Sequence, residues 1–248
     1  MLTLKFDHQL QELLPRRYRS HRNVHYPLDR RASIKDIVES LHIPHTEIGS
    51  IEREGEELSF KYIPKDRELL ELCSFPAGID VTRPTLLRPE PLSAPVFMVD
   101  VNVGKLARLL RMAGIDTWYD PELAEAELAR QAAAHDRILL SRNRDLLRRK
   151  IITWGHLVRA EQPEDQLVEI IILYGLQGVL EPFSRCLECN TPLRPVDKSA
   201  ILHQLEPLTR RYYHQFKRCP DCGRIYWRGS HHQHMQELMT GIQDFQDG

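Results

Sequence analysis

The chain has 248 residues, of which 42% are hydrophobic and 28% charged, so it can bury one or two ordinary cores and is not compositionally disordered. Its formal net charge of -1 neither favours nor excludes a nucleic-acid partner, because such a partner needs a local basic surface. The longest apolar runs are far shorter than a membrane span, and the N-terminus lacks the features of a signal peptide. These properties predict a soluble, cytoplasmic protein with no membrane partner.

Residues 1–80 are predicted to form a small domain with mixed structure. Alternating apolar residues predict short strands near residues 2–6, 24–26, 58–62 and 69–75. Ser33 and Asp36 have the spacing of a capping box and precede an apolar helical face, which predicts a helix from residue 34. The order strand, strand, helix, strand, strand is that of a β-grasp domain.

Two stretches of this N-terminal half stand out by composition. Residues 16–31 hold six arginines and one acid, Asp29, which fits either an RNA-facing loop or a solvated hairpin equally well. Four prolines, Pro84, Pro89, Pro91 and Pro95, then follow within a short distance and exclude a helix or a central strand. Residues 81–95 are therefore predicted to be a proline-rich linker.

Residues 96–180 show an alternation of strands and helices. An apolar run ends at Asp100, a helical pattern follows Gly104, and a second strand over residues 115–119 ends at Asp120. A helix over residues 122–135 and a strand over residues 138–140 complete a βαβαβ pattern. A further strand is predicted at residues 156–159 and a helix from Pro163. This alternation predicts a parallel sheet with helices on both faces.

Oxygen-bearing side chains follow the strands of that sheet. Ligands bind beyond the carboxyl ends of parallel strands, so these side chains are expected to converge on Mg²⁺ or Mn²⁺. The candidates are Asp100, Asn102, Asp120, Glu127, Asn143 and Asp145. Asp100 alone would more often be a helix N-cap, and a glutamate on an alanine-rich helix, such as Glu127, is usually solvated.

Basic residues lie close to these acids in the sequence. Such residues would hold phosphates beside a metal site, although a charge run is more often an exposed helix. The candidates are Lys105, Arg108, Arg142, Arg144, Arg148, Arg149 and Lys150.

The cysteines predict a second metal site. Cys186/Cys189 and Cys219/Cys222 form two Cys-x-x-Cys pairs, which suit one tetrahedral, structural Zn²⁺ with no open position for catalysis. Residues 208–218, between the pairs, interleave basic and aromatic residues, a pattern that suits single-stranded RNA or aromatics packed under the ribbon. Residues 181–236 are predicted to be a zinc ribbon, and residues 237–248 a tail.

Four phrases together resemble one known family. VDVNVGKLARLLRMAGIDTWYD, RILLSRNRDLL, PFSRCLECNTPL and RCPDCGRIYWRGSH are similar to sequences of the Mut-seven C-terminal ribonuclease family. The resemblance implies a PIN-like nuclease fold with a zinc ribbon and metal-dependent RNA cleavage. It implies metal-binding roles for Asp100, Glu127 and Asp145, and it singles out Arg228 and His231 in the phrase WRGSH as substrate contacts.

The N-terminal domain also has a family resemblance. The stretch ASIKDIVESLHIPHTEIGSI resembles the ubiquitin-like, sulfur-carrier-type domain that precedes the nuclease in bacterial members of the family. Sulfur carriers end in Gly-Gly, whereas only Gly78 lies near the end of this domain, so a carrier role is not expected. A protein partner is a further possibility for this domain.

One position departs from the family pattern. The family usually has T-R-D-R-D where this chain has Ser141 to Asp145, so Asn143 replaces a carboxylate. An amide oxygen attracts a metal less strongly, which predicts lower metal affinity or turnover. The sequence thus predicts a metal-dependent ribonuclease that acts on single-stranded or structured RNA. The alternative is a non-catalytic RNA-binding or adaptor protein with a degenerate site.

Overall fold

The computed structural model of the protein describes residues 1–228. The first sheet contains the strands β1 (Leu2–Phe6), β2 (Asn23–Tyr26), β3 (Ile48–Arg53), β4 (Glu56–Glu57) and β5 (Leu69–Ser74). The helices of this domain are α1 (His8–Gln11), α2 (Arg16–Arg19) and α3 (Ile34–Ser40). The strand order is β2-β1-β5-β3-β4, with β1 and β5 parallel at the centre. This is the predicted β-grasp arrangement.

In this domain the predicted helix start is confirmed, and one predicted strand is wrong. Ser33 and Asp36 form the predicted capping box at the start of α3. The strand expected over residues 58–62 is wrong, because the chain there forms a turn. The strand in this part of the chain is β3, which ends at Arg53. A tight turn at Glu54 and Gly55, both with positive φ, connects it to β4. Phe60 and Tyr62 lie in the turn at residues 58–62 and pack against the core from there, which explains the aromatic side chains in this turn.

The second sheet is parallel, as predicted. Its strands are β6 (Phe97–Val99), β7 (Thr117–Tyr119), β8 (Ile138–Ser141) and β9 (Gly155–Leu157), in the order β7-β6-β8-β9. The helices around it are α4 (Gly104–Met112), α5 (Glu125–Ala134), α6 (Arg144–Leu147) and α7 (Pro163–Leu173). All four strands point the same way, so their carboxyl ends share one edge, here called the carboxyl edge.

Side chains of β6 alternate between two cores. Phe97 and Val99 pack with apolar residues of α4 and α7 on one face of the sheet. Met98 belongs to a cluster on the other face, which also contains buried residues of α5, α6 and the β-grasp domain. The sheet is therefore covered on both faces, and one of its cores is shared between the two domains.

Polar contacts reinforce this shared core. The Arg88 side chain is 1% exposed and donates hydrogen bonds to backbone carbonyls on both sides of the junction. The acceptors are the carbonyl oxygens of His45, Thr46, Ile48 and Thr153. Residues 81–95 contain no helix or strand, but through Arg88 they hold the β-grasp domain against the parallel sheet.

The C-terminal part of the described chain is a small antiparallel sheet. It consists of β10 (Arg194–Val196), β11 (Phe216–Arg218) and β12 (Ile225–Trp227), with α8 (Lys198–Ile201) and α9 (Pro207–Tyr212) between the first two strands. Its own core contains only three buried residues, Ile201, Leu205 and Phe216. Within residues 1–228, no helix combines the length and the apolar character that crossing a membrane requires.

Candidate active site

Asp100 lies at the carboxyl edge, directly after β6, and its side chain is buried with 4% exposure. One carboxylate oxygen, Oδ2, accepts hydrogen bonds from Ser141 Oγ and Asn102 Nδ2, both at 2.6 Å. Asp100 occupies the N-cap position of a short 3-10 turn, but its side chain makes no capping hydrogen bond. The carboxylate is thus fixed by neighbouring side chains and is not used as a cap.

A chain of hydrogen bonds continues from Asp100 across the edge. Ser141 Oγ accepts from the backbone N–H of Asn143 at 2.8 Å, and the Asn143 side-chain amide donates to Glu125 Oε1 at 2.8 Å. Glu125 is the first residue of α5, which brings a second carboxylate to the site. The helix was predicted from residue 122, and Glu125 was not among the predicted metal ligands.

The Asn143 oxygen is already engaged in the structure. Oδ1 accepts from the backbone N–H groups of Asp145 and Leu146, at 3.0 and 3.3 Å, and so caps α6. Asn143 consequently bridges Glu125 and the start of α6 through its two side-chain groups.

Three further predicted ligands make other contacts. Glu127 pairs with Arg130 and accepts from Gln131 along its own helix. Asp120 accepts from the backbone N–H of Glu122 at 3.0 Å in the loop after β7. Asp145 is 85% exposed and forms an ion pair of 2.9 Å with Arg148. Among residues 1–228, no three acidic or histidine side chains converge at the carboxyl edge.

A cleft of about 800 Å³ opens beside Asp100, at the start of α4. Lys105 and Arg108 line it, as does Asn102, and both basic side chains are exposed. Gly104 allows the Tyr119 ring to close one side, because a Cβ at this position would lie 2.5 Å from the tyrosine hydroxyl. The cleft thus begins at the residues that directly follow Asp100, and its lining combines these basic side chains with Glu161 and Glu188.

The remaining basic candidates surround the start of α6. Arg142 Nη1 donates to the Ala160 carbonyl at 2.7 Å, and its backbone N–H donates to Asn102 Oδ1. Arg144 Nη1 donates to the Leu13 carbonyl of the β-grasp domain at 2.8 Å. Arg148, which pairs with Asp145, also lies 3.3 Å from His42 Nδ1. The N-terminal domain thus contacts the helix that begins at Asn143.

A buried ion network joins the same two domains behind the site. His156 of β9 lies between Glu47 of the β-grasp domain, at 3.4 Å, and Glu169 of α7, at 2.7 Å. Burial alone would lower the pKa of His156, but the two carboxylates outweigh it and raise the pKa to about 9. The pKa values of Glu47 and Glu169 are lowered correspondingly, against their own burial. Both domains therefore supply charges to one buried cluster.

The four cysteines of the two Cys-x-x-Cys pairs come together. The Sγ atoms of Cys186, Cys189, Cys219 and Cys222 all lie within 4.8 Å of one another, and Cys186 Sγ is 3.7 Å from Cys222 Sγ. Sulfurs about 2.3 Å from a tetrahedral Zn²⁺ are about 3.8 Å apart, so this spacing fits the ion. The four cysteines could hold zinc.

The first cysteine pair is attached to the parallel-sheet domain. Arg111 of α4 is buried and donates to the carbonyls of Leu187 and Glu188, at 3.0 and 2.8 Å. Asn190 accepts from the Thr117 backbone N–H at 3.0 Å. The loop between Cys186 and Cys189 is therefore docked directly on the elements that flank the cleft.

Comparison with known protein families identifies both halves of the chain. The family profile described as the Mut7-C RNAse domain matches residues 95–239, and the profile described as Mut7-C ubiquitin matches residues 1–76. The chain belongs to the Mut7-C RNAse family. Comparison with the curated proteins and with the solved structures gave no match.

The Mut7-C RNAse match spans both the parallel sheet and the cysteine cluster, which agrees with the docking of the ribbon on α4. On the ribbon of this Mut7-C protein, Arg228 lines a groove of about 390 Å³ together with Lys217 and Trp227. His231, the other candidate contact, lies outside the described residues. Of the aromatics between the cysteine pairs, Phe216 is buried under the ribbon, whereas Tyr212 is 63% exposed.

Proposed function

We propose that this protein is a metal-dependent ribonuclease in which Asp100 and Glu125 hold Mg²⁺ or Mn²⁺ at the carboxyl edge. The observation that carries the proposal is the environment of Asp100. Its carboxylate is buried, yet no cationic side chain within residues 1–228 forms an ion pair with it. Burying an unpaired carboxylate is costly, so a bound cation would relieve the cost.

The donor atoms suit a hard divalent ion. Only Oδ2 of Asp100 accepts hydrogen bonds from the described chain, which leaves Oδ1 available as a ligand. Glu125 adds a second carboxylate across the Asn143 amide, and oxygen donors of this kind are the ones that Mg²⁺ and Mn²⁺ prefer. The four-cysteine site, whose ligands are all sulfur, is proposed to hold a structural Zn²⁺.

In the proposed reaction, the protein positions an RNA strand for hydrolysis of a phosphodiester bond. A divalent ion, when bound, would activate water and neutralise the charge that develops on the phosphate. Lys105 and Arg108 would hold phosphates in the cleft, while Ser141 and Asn102 keep the Asp100 carboxylate in place. Ser141 is not proposed as a nucleophile, because its side chain is fully buried and a metal-activated water requires no side-chain nucleophile.

Substituting Asp100 tests the proposal. Asp100→Asn keeps the size of the side chain but removes its charge, so cleavage of single-stranded RNA with Mn²⁺ should fall at least about 100-fold. Glu125→Gln should also reduce cleavage, by about 10-fold or more. Glu127→Gln is the matched control on the same helix and should leave the rate nearly unchanged. Full activity in Asp100→Asn would remove the assignment.

A second function, as an RNA-binding or adaptor protein without catalysis, is favoured by one observation. Asn143 stands where the family usually has a carboxylate and uses its oxygen as a helix cap, which leaves two carboxylates for the metal. This function predicts no cleavage by the wild type under any divalent ion, together with retained RNA binding.

A further inference from the structure

The β-grasp domain carries an arginine-rich segment close to α6 and the carboxyl edge. Residues 16–22 have the sequence RRYRSHR, and all four arginines are exposed. Arg17 lies over the ring of Tyr18, at 4.7 Å from the centroid. Within residues 1–228, none of the four forms an ion pair with a carboxylate.

Two guanidinium groups, one from each domain, meet at the chain that leads into α2. Arg144 Nη1 donates to the carbonyl oxygen of Leu13 at 2.8 Å. Arg19 Nε donates to the carbonyl oxygen of the next residue, Leu14, at 2.7 Å. The backbone around this point is fixed further, because Gln11 donates to the carbonyls of Arg19 and His21. The two cations are thus held beside each other.

This pair of cations is electrostatically unfavourable by itself. Burial, followed by the positive charges of Arg19 and Arg159, lowers the pKa of Arg144. Glu47 opposes this shift in the pKa of Arg144, but Glu47 forms its ion pair with Arg159, and neither Arg19 nor Arg144 forms an ion pair with a carboxylate in the described part of the chain. Neighbouring guanidinium groups without ion-pair partners can bind a phosphate.

We propose that Arg19 of the β-grasp domain and Arg144 of the nuclease domain together hold one backbone phosphate of the RNA strand. This inference rests on the proposed ribonuclease function and extends its substrate surface to the N-terminal domain. Arg16 and Arg17, on the exposed side of α2, would contact the phosphates that follow.

The position of the pair favours RNA over an acidic protein as the partner. Arg144 follows Asn143, which is linked to Asp100 through Ser141 and to Glu125 through its amide. Lys105 and Arg108 belong to α4, which covers one face of the sheet, and Arg144 belongs to α6, which covers the other. An RNA strand that crosses the carboxyl edge from one face to the other would therefore pass both groups. A regularly charged backbone meets both groups, and unstacked single strands can follow such a path.

Binding of a labelled single-stranded RNA to the full-length protein, followed by fluorescence anisotropy without added divalent ions, tests the inference. Arg19→Gln and Arg144→Gln should each weaken binding about 5- to 10-fold near 100 mM salt, because each removes half of a charged phosphate site. The affinity of the double variant for RNA should fall by a factor much smaller than the product of the two single factors, because both side chains contact one phosphate. The plot of log affinity against log salt concentration should be shallower for the double variant than for the wild type, by about 0.7, because one phosphate contact is lost.

Two further variants separate binding from folding. Arg67→Gln is the control, since Arg67 is 90% exposed and lies at the opposite end of the same sheet, where its backbone N–H donates to the Met1 carbonyl. It should bind RNA as the wild type does. Arg19→Glu places a carboxylate beside Arg144, so the Tm should be preserved while RNA affinity falls further than in Arg19→Gln.

Each remaining outcome contradicts the inference. Affinities of the Arg19 and Arg144 variants equal to that of Arg67→Gln would overturn it and leave the ribonuclease proposal standing. Multiplicative losses in the double variant would show two independent contacts and overturn the shared site. A wild-type protein that neither binds nor cuts RNA would overturn both proposals.

Discussion

Asp100 and Asn143 show how similar side chains take different tasks at one edge of a sheet. Asp100 is buried and accepts two hydrogen bonds on a single oxygen, so its other oxygen remains available. Asn143 uses its oxygen to cap α6 and its amide to hold Glu125. A carboxylate at position 143 could cap α6 but could not donate a hydrogen bond to Glu125. Asn143 therefore has a structural role that an aspartate would fill only in part.

Replacing Asn143 by the acid tests this difference. Asn143→Asp can still cap α6, because a carboxylate accepts from the same backbone N–H groups. It loses the donor to Glu125 and faces a like charge there, so the metal-free protein should be destabilised by about 1–2 kcal/mol. Mn²⁺ should bind more tightly and restore the stability, and RNA cleavage should rise about 10-fold.

Calorimetric titration with Mn²⁺ and cleavage rates of the two proteins check this expectation. Unchanged metal affinity together with unchanged cleavage would contradict it. A wild type with no activity that stays inactive after the substitution would support the adaptor function.

At the scale of elements, the ribbon has little packing of its own. Three buried residues, Ile201, Leu205 and Phe216, make up its core, which is too little apolar surface to order some forty residues. Cys186 and Cys219 are fully buried, and Arg111 holds the loop after Cys186. Binding of zinc by four thiolates would supply the missing free energy.

Substitution of one cysteine should therefore unfold the ribbon selectively. In Cys186→Ser we expect bound zinc to fall from about one ion per chain to nearly none. Amide hydrogen exchange should speed up across residues 186–228, while β6 and β8 of the parallel sheet remain protected. Cys73→Ser, at the exposed cysteine outside the cluster, is the control. Iron in the wild type, or full zinc content in Cys186→Ser, would count against the assignment.

At the scale of the whole molecule, the β-grasp domain and the parallel sheet behave as one packed unit. They share a hydrophobic cluster, the buried Arg88 and the charge cluster of Glu47, His156 and Glu169. The contacts of α6 with Leu13 and His42 belong to the same interface. The geometry around Asn143 is thus supported by residues more than 100 positions away in sequence.

The raised pKa of His156 gives this interface a specific dependence on pH. The folded state binds the proton more tightly than the unfolded chain, so the stabilisation is fully present below about pH 6.5 and is lost as the pH rises towards 9. The loss is on the order of 3 kcal/mol. The lowered pKa values of Glu47 and Glu169 add stability above about pH 4.5, which is lost in acid.

Urea unfolding between pH 6 and 10 should show this loss in the wild type. In His156→Gln the stability should be lower at neutral pH, because Glu47 and Glu169 lose their shared cation, and it should be nearly independent of pH between 6.5 and 9. An equal decline in both proteins would show that another group is responsible.

Local sequence patterns determined much of this protein. Apolar runs that end in polar residues located the parallel strands and placed Asp100 at the carboxyl edge, because the alternation of strands and helices is visible in short segments. The Cys-x-x-Cys spacing likewise identified the four cysteines that meet in the fold. The capping box of α3 was correct for the same reason.

Only the tertiary structure decided which side chains meet across elements. Glu125 reaches Asn143, Asp145 turns to Arg148, and Arg144 is bonded to the β-grasp domain. These contacts depend on how helices lie on the sheet and where each helix begins, which short segments do not encode. The strand expected at residues 58–62 is wrong for the same reason, since those side chains are buried by contacts made from a turn.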